Sequence, residues 1–325
     1  MGDPHKHHFI PAFYLRGWHG PDKKLVEYTI KNRKLIPKPV GADGTGFQRD
    51  LYEFPELPSP LSQFLEKEFF NYADRTAFQA LSMLLDDVPK HLWANELLSA
   101  WARFLVGLHT RHFDTIPDLR DAAKTLWVAS GERSQRLYEE MRVPEDPDTF
   151  DEWIAQRDPL IPHKAAIDLM VAAMDVPEVG LHIIRMHWEV IEICNTPRRF
   201  LTSDRPVGMR MIKEPDGSIT LPISPTKLFV AVNNADYLGE FRRWKHRKIV
   251  DQINLDHICR ARRFVWATSQ SHWQNSFIRS YMSTKMEKPP FFPSLANYPS
   301  PGSESAIVGG YDPLVQEPLR ADVTE

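Results

Sequence analysis

His7 and His8 belong to the chain's richest run of potential ligands, His5-Lys6-His7-His8-Phe9-Ile10-Pro11-Ala12-Phe13-Tyr14-Leu15-Arg16-Gly17-Trp18. A neutral imidazole binds a divalent metal, and an imidazole also carries protons near neutral pH. Either chemistry needs partners from elsewhere in the chain. Asp204, in Thr202-Ser203-Asp204-Arg205-Pro206, offers a carboxylate as ligand or general base. Glu66 and Glu68 on a helical stretch, and His109 and His112 three apart on one helix face, are further ligands to consider. Arg111, at the end of an amphipathic helix, has the planar fork that clamps a carboxylate or a phosphate. The expected catalytic set is His7, His8, Asp204 and Arg111. The expected set for a divalent metal is His7, His8, Glu68 and Asp204.

Each of these residues also has a plainer role open to it. An Asp before a Pro-containing turn commonly caps that turn. The imidazoles of His7 and His8 can pack like aromatic rings, with their nitrogens bonded to backbone carbonyls. His109 and His112 suit the negative end of a helix dipole. Arg111 can form a structural bridge to Asp204 or Glu68. No His-Glu-x-x-His or Cys/His finger spacing occurs, and no Gly-x-Ser-x-Gly surrounds Ser203. Gly41, Gly44 and Gly46 lack the order and the following Lys-Ser/Thr of a phosphate loop.

The elements that must position these residues read as follows. Termini fray unless tied down, so the bulky side chains from Phe9 to Trp18 predict that this segment docks into the core. The spacing predicts an extended stretch through Ile10, a helical turn from Pro11 to Arg16 and a stop at Gly17. In the extended part His5 and His7 share one face and His8 the other, so the three do not chelate one ion alone. A β-hairpin is expected over residues 25–39, with Pro37 and Pro39 placing its second run at an edge. Helices are expected from Pro60 to Leu85, around Leu97–Leu108, from about Ile116 to Met141, and in shorter pieces to Met186 broken at Pro159, Pro162 and Pro177. Short β-prone runs at residues 188–193, 199–204, 219–225, 228–232 and 264–267 predict a C-terminal antiparallel sheet. The fold class is therefore α+β: an N-terminal segment and hairpin, a central helical bundle and a C-terminal antiparallel sheet. The expected domain spans 1–285, followed by a Pro-rich, partly disordered tail at 286–325.

Composition narrows the function classes. A net charge of −3 over 325 residues carries no global nucleic-acid or membrane signature. Cys194 and Cys259 are the only cysteines, far apart, which fits a reducing compartment. No apolar run approaches a membrane span and no secretory leader is visible, so the expected location is the cytoplasm. One stretch departs from the average: residues 242–263 carry eight Lys or Arg against two Asp, with Trp244 and His246 between them. It is a candidate contact for an anionic substrate or nucleic acid; a solvated helix face is the ordinary alternative.

Four motifs together resemble a known family. His7-His8-Phe9-Ile10-Pro11 with Phe13-Tyr14-Leu15 resembles the opening signature of the domain-of-unknown-function family numbered 4238. Phe200-x-Thr202-Ser203-Asp204-x-Pro206-Val207 is similar to its Thr-Ser-Asp-x-Pro-Val element. Arg111, seven residues after Phe104, is similar to an arginine ending the family's central helix, and Leu221-Pro222-Ile223-Ser224-Pro225 to a Pro-x-Ser-Pro strand start. The resemblance implies one α+β domain with a shared site and supplies no reaction. The functional expectation from the residues is a metal-assisted hydrolase acting on a phosphate-containing or nucleic-acid substrate. The alternative is a non-catalytic ligand-binding or interaction protein, in which the His-His segment staples the N-terminus to the core.

Overall fold

A computed structural model describes residues 5–282. The tail expected at 286–325 lies outside the described residues, as do the last residues of the expected domain.

The N-terminal segment is held on both sides. Strand β1 (Lys6–His8) pairs antiparallel with β4 (Phe47–Arg49), His7 opposite Gln48. Pro11 then leads into α1 (Ala12–Leu15), and a 3-10 turn continues over Arg16–Trp18. Gly17 therefore lies inside a tightening turn, not at the left-handed stop expected of it. The glycine that needs the left-handed region is Gly46, with φ +69. A Cβ there would press on the Leu15 side chain at 2.9 Å and the Ile10 carbonyl at 3.0 Å, and its own carbonyl accepts the Ile10 N–H at 3.0 Å. Phe9, Ile10, Tyr14, Leu15 and Trp18 are all buried. The Tyr14 hydroxyl bonds the Pro222 carbonyl at 2.7 Å and Thr202 at 2.9 Å, and the Trp18 indole donates to the Phe200 carbonyl. Tyr14 and Trp18 are thus tied to the chain around Phe200, Thr202 and Pro222.

The hairpin forms as expected from β2 (Leu25–Lys31) and β3 (Lys34–Val40). Asn32 and Arg33 both have positive φ, the turn geometry that matches strand twist. The middle of the chain is helical: α2 (Asn71–Leu85), α3 (Asn95–Thr110), α4 (Thr115–Met141), α5 (Phe150–Arg157), α6 (Ile161–Met174) and α7 (Pro177–Arg185). Pro162 and Pro177 sit in first turns, where a missing N–H has no cost, so they begin helices instead of breaking one. The stretch after Pro60 is less regular than its apolar spacing implies. A 3-10 turn is followed by a π-helical turn over Leu65–Phe70 before α2 begins.

The remaining strands are β5 (His187–Glu192), β6 (Thr202–Ser203), β7 (Gly208–Arg210), β8 (Ser218–Pro222), β9 (Lys227–Val232) and β10 (Val265–Ala267), with α8 (Asp236–Arg243), α9 (His246–Arg260) and α10 (His272–Tyr281) among them. They are antiparallel, but they do not make one C-terminal sheet. One four-stranded sheet has the order β5-β9-β8-β7; the other is β3-β2-β10-β6. Only an edge strand tolerates the prolines of β3, so the open side of β2 is left to recruit β10, and through it the short β6. The N-terminal hairpin and the C-terminal strands thereby share a sheet. Among the described residues Trp18, Trp101 and Trp266 are the largest fully buried side chains. Among the described residues no helix is long and apolar enough to cross a membrane.

Candidate functional site

Adjacent in sequence, His7 and His8 have different surroundings. The buried His7 accepts the Tyr52 backbone N–H at Nδ1, 2.9 Å away. Its proton is therefore on Nε2, which donates to Gln63 Oε1 at 2.9 Å. Its ring stacks on Tyr52, centroids 5.3 Å apart and planes within 6°. Both ring nitrogens are thus occupied by protein. The half-buried His8 leaves Nε2 without a partner. Burial is the main force pushing its imidazole down to about 4, opposed by Asp43 and assisted by Arg111, so it is neutral at physiological pH.

Tyr52 joins this strand to the end of α3. Its hydroxyl lies 2.9 Å from the Arg111 carbonyl oxygen and 3.2 Å from that of His8. Arg111 is 2 % exposed and lies near the Phe70 and Phe104 rings, at 5.5 and 5.8 Å from their centroids. Its Nη1 donates to Asp74 Oδ1 at 2.9 Å, while Nε and Nη2 have no partner. Those two N–H groups form the edge of a guanidinium that takes an oxyanion at two points. Asp74, on α2, and Glu66, on the π-helical turn, are both half-buried. Burial, and then the negative charge of Asp74, push the Glu66 carboxyl up to about 8 against the pull of Arg111. Burial also raises Asp74, which Arg111 opposes by charge and hydrogen bond. Irregular π turns inside helices frequently mark functional positions; this one carries Glu66 into the electrostatic field of Arg111.

Asp204 is fully buried. Its Oδ1 accepts the Arg262 N–H at 2.9 Å, and Oδ2 accepts those of Arg263 and Phe264 at 2.5 and 3.0 Å. The charge that favours its ionised form is Arg205, not Arg111. Burial pushes the carboxyl up to about 6, and the three N–H donors pull against it. Glu68 is exposed: two residues along a helix point different ways, so the turn that brings Glu66 inward sends Glu68 outward. The expected bridges from Arg111 to Asp204 or Glu68 are replaced by the one to Asp74. The expected metal set of His7, His8, Glu68 and Asp204 is not gathered in one place. Among the described residues no three His, Cys, Asp or Glu side chains are arranged to hold a metal ion.

The basic stretch 242–263 is divided between the two ends of α9. Arg242 pairs with Glu189 in two hydrogen bonds, Lys248 stands over the Trp244 ring at 3.9 Å, and Arg262 bonds Asp114 at 2.9 Å. Arg260 bonds Asp256.

The residues brought together are thus His8 and Arg111, with Glu66, Asp74 and Tyr52 beside them. Asp74 and Tyr52 carry no sequence signal of their own. A carboxylate in a helix and a tyrosine in a loop look ordinary until the chain folds. Glu66 could have been preferred to Glu68 only by knowing that the helix begins in a π turn.

Helices packed against both faces of the β5-β9-β8-β7 sheet, with an arginine-centred cluster at the end of α3, define an α+β protein. The sequence profile of a family described as protein of unknown function (DUF4238) matches residues 6–271, and the chain belongs to that family. Comparisons with curated proteins and with solved structures gave no match.

Proposed function

We propose that the protein is a hydrolase of phosphate-containing substrates and that Arg111, Glu66 and His8 form its working site. The single observation that carries this reading is the buried, unpartnered Nε/Nη2 edge of Arg111, within electrostatic reach of a carboxyl held up at about 8. Arg111 would bind two phosphoryl oxygens through that edge. Glu66, protonated near neutral pH, would give its proton to the leaving oxygen as the phosphorus–oxygen bond breaks. His8, neutral through burial, would accept a proton from the attacking water as the new bond forms. Asp74 would orient the guanidinium through Nη1.

The test is a panel of phosphomonoesters and phosphodiesters assayed with the wild type, Glu66→Gln and Arg111→Lys. Glu66→Gln should lower kcat about a hundredfold with little change in KM. Arg111→Lys should raise KM about tenfold, since a lysine has no two-point edge. A second reading, a non-catalytic binding protein, is favoured by one observation: His7 and Asp204 spend all their polar atoms on the fold. Phosphate binding with no ester turned over would select it.

A further inference from the structure

A different cluster lies between the C-terminal ends of α3 and α9 and the turn after β6. We propose that this cluster is a second oxyanion site, of the phosphate class, formed by Arg205, Arg260, His112 and His257. The argument begins with buried polar atoms. Folded chains pair nearly all of them, and each exception needs a cause, an unseen ion among them. Here six occur together: Arg205 Nε, Arg260 Nε and Nη2, His112 Nε2, and both ring nitrogens of His257. His257 is fully buried and His112 is 1 % exposed.

The chemistry of these atoms points to an anion. Every unpartnered guanidinium N–H is a donor and none is an acceptor. Arg260 gives Nη1 to Asp256 and keeps its two-point edge free, as Arg111 does. Arg205 has Nη2 at 3.6 Å from Asp114 Oδ2 and 3.3 Å from His112 Nδ1, leaving Nε. The carboxylates nearby are already engaged: Asp114 with Arg205 and Arg262, Asp256 with Arg260, and Asp204 with three backbone N–H groups. Burial comes first among the causes that hold His109, His112 and His257 in the neutral form, and the positive charge of Arg205 or Arg260 adds to it. His109 feels the charge of both guanidinium groups, His112 that of Arg205 and His257 that of Arg260.

The backbone is shaped to match. Gly208 runs so close that a Cβ would come within 3.2 Å of Arg260 Nη1 and of Asp256 Oδ2, and within 2.5 Å of Thr220 Oγ1. A side chain there would have to displace Thr220 Oγ1 and would crowd the Arg260–Asp256 pair. Helix C-termini attract cations, which accounts for basic residues at this place. It does not account for N–H groups turned away from every acceptor. The cluster shares no residue with the Arg111 site and stands whether or not that site is catalytic.

The experiment uses the full chain and inorganic phosphate. Histidine ring resonances are followed in long-range 1H–15N spectra, with His112 and His257 assigned by the signals lost in His112→Gln and His257→Gln. Phosphate should shift both rings saturably, and chloride at equal ionic strength should not. Arg260→Lys, which keeps the charge and loses the two-point edge, should weaken binding about tenfold. Arg111→Lys should leave these shifts in place, which separates this site from the other. Rings that ignore phosphate, or an Arg260→Lys protein that binds like the wild type, would overturn the proposal.

Discussion

Asp204 and Arg111 are both buried charges at the ends of secondary elements, and they are treated in opposite ways. Asp204 has both oxygens filled by three backbone N–H groups of the turn at 262–264. Arg111 has one nitrogen paired to Asp74 and two left without partners. His7 and His8 repeat the contrast one residue apart: two bonds and a stacked ring for the first, an unpartnered Nε2 for the second. A charge whose every polar atom is used holds the fold. A charge left half-used carries a penalty that a water or a ligand would relieve.

Asp204 offers the largest effect with which to break this comparison. Asp204→Ala would strand three N–H donors in the interior. At about 1–3 kcal/mol for each stranded group, discounted for relaxation, the loss should be roughly 3–5 kcal/mol in urea unfolding. A loss below about 1 kcal/mol would remove Asp204 from the structural side.

The paired histidines come next. His7→Ala removes two hydrogen bonds and strands the Tyr52 N–H and the Gln63 carbonyl oxygen, so it should cost about 2–3 kcal/mol. His8→Ala should stay within about 0.5 kcal/mol of wild type, because no side-chain hydrogen bond of His8 is broken. Equal losses in the two variants would erase the distinction.

Glu66 sharpens the comparison through pH. Its folded value, about 8, lies above the ordinary 4.5 of an unfolded chain. The folded state therefore holds that proton more tightly. The stability this contributes is complete below 4.5 and is lost as pH rises through about 8. Glu66→Gln removes that loss, so the variant should become the more stable protein at alkaline pH, by on the order of 1 kcal/mol. Melting temperatures that run parallel in wild type and variant from acid to alkaline pH would contradict it. The smallest effect belongs to Glu68→Ala. The exposed carboxylate should leave stability within about 0.5 kcal/mol and turnover unchanged.

The split between fold and ligand also explains what could be read in the sequence. The hairpin, the amphipathic helices and the docking of Phe9 to Trp18 follow from periodicity, turn residues and burial, which are local or one-sided signals. The C-terminal antiparallel sheet forms from β5, β9, β8 and β7, but β10 and β6 join the hairpin, because strand partnership is not local: β10 looks the same whether it pairs with β9 or with β2. At the site, His8 and Arg111 were legible as residue types that do chemistry. Asp204 was equally legible as a type, but the N–H groups that consume it come from a turn nearly sixty residues away. Glu66 and Glu68 differ only through a π turn that apolar spacing does not encode. Types reveal which residues could act; only the count of filled hydrogen-bond positions separates those that are free to.

The central claim is that Arg111 takes an oxyanion next to a protonated Glu66. The most direct measurement is a carbon-13 titration of the Glu66 carboxyl, assigned with Glu66→Gln, in the absence and presence of phenyl phosphate. The account predicts a midpoint near 8 in the free protein, moving higher when the phosphate shares Arg111 and adds its own negative charge. A carboxyl that titrates near its ordinary 4.5 and ignores the phosphate would contradict it.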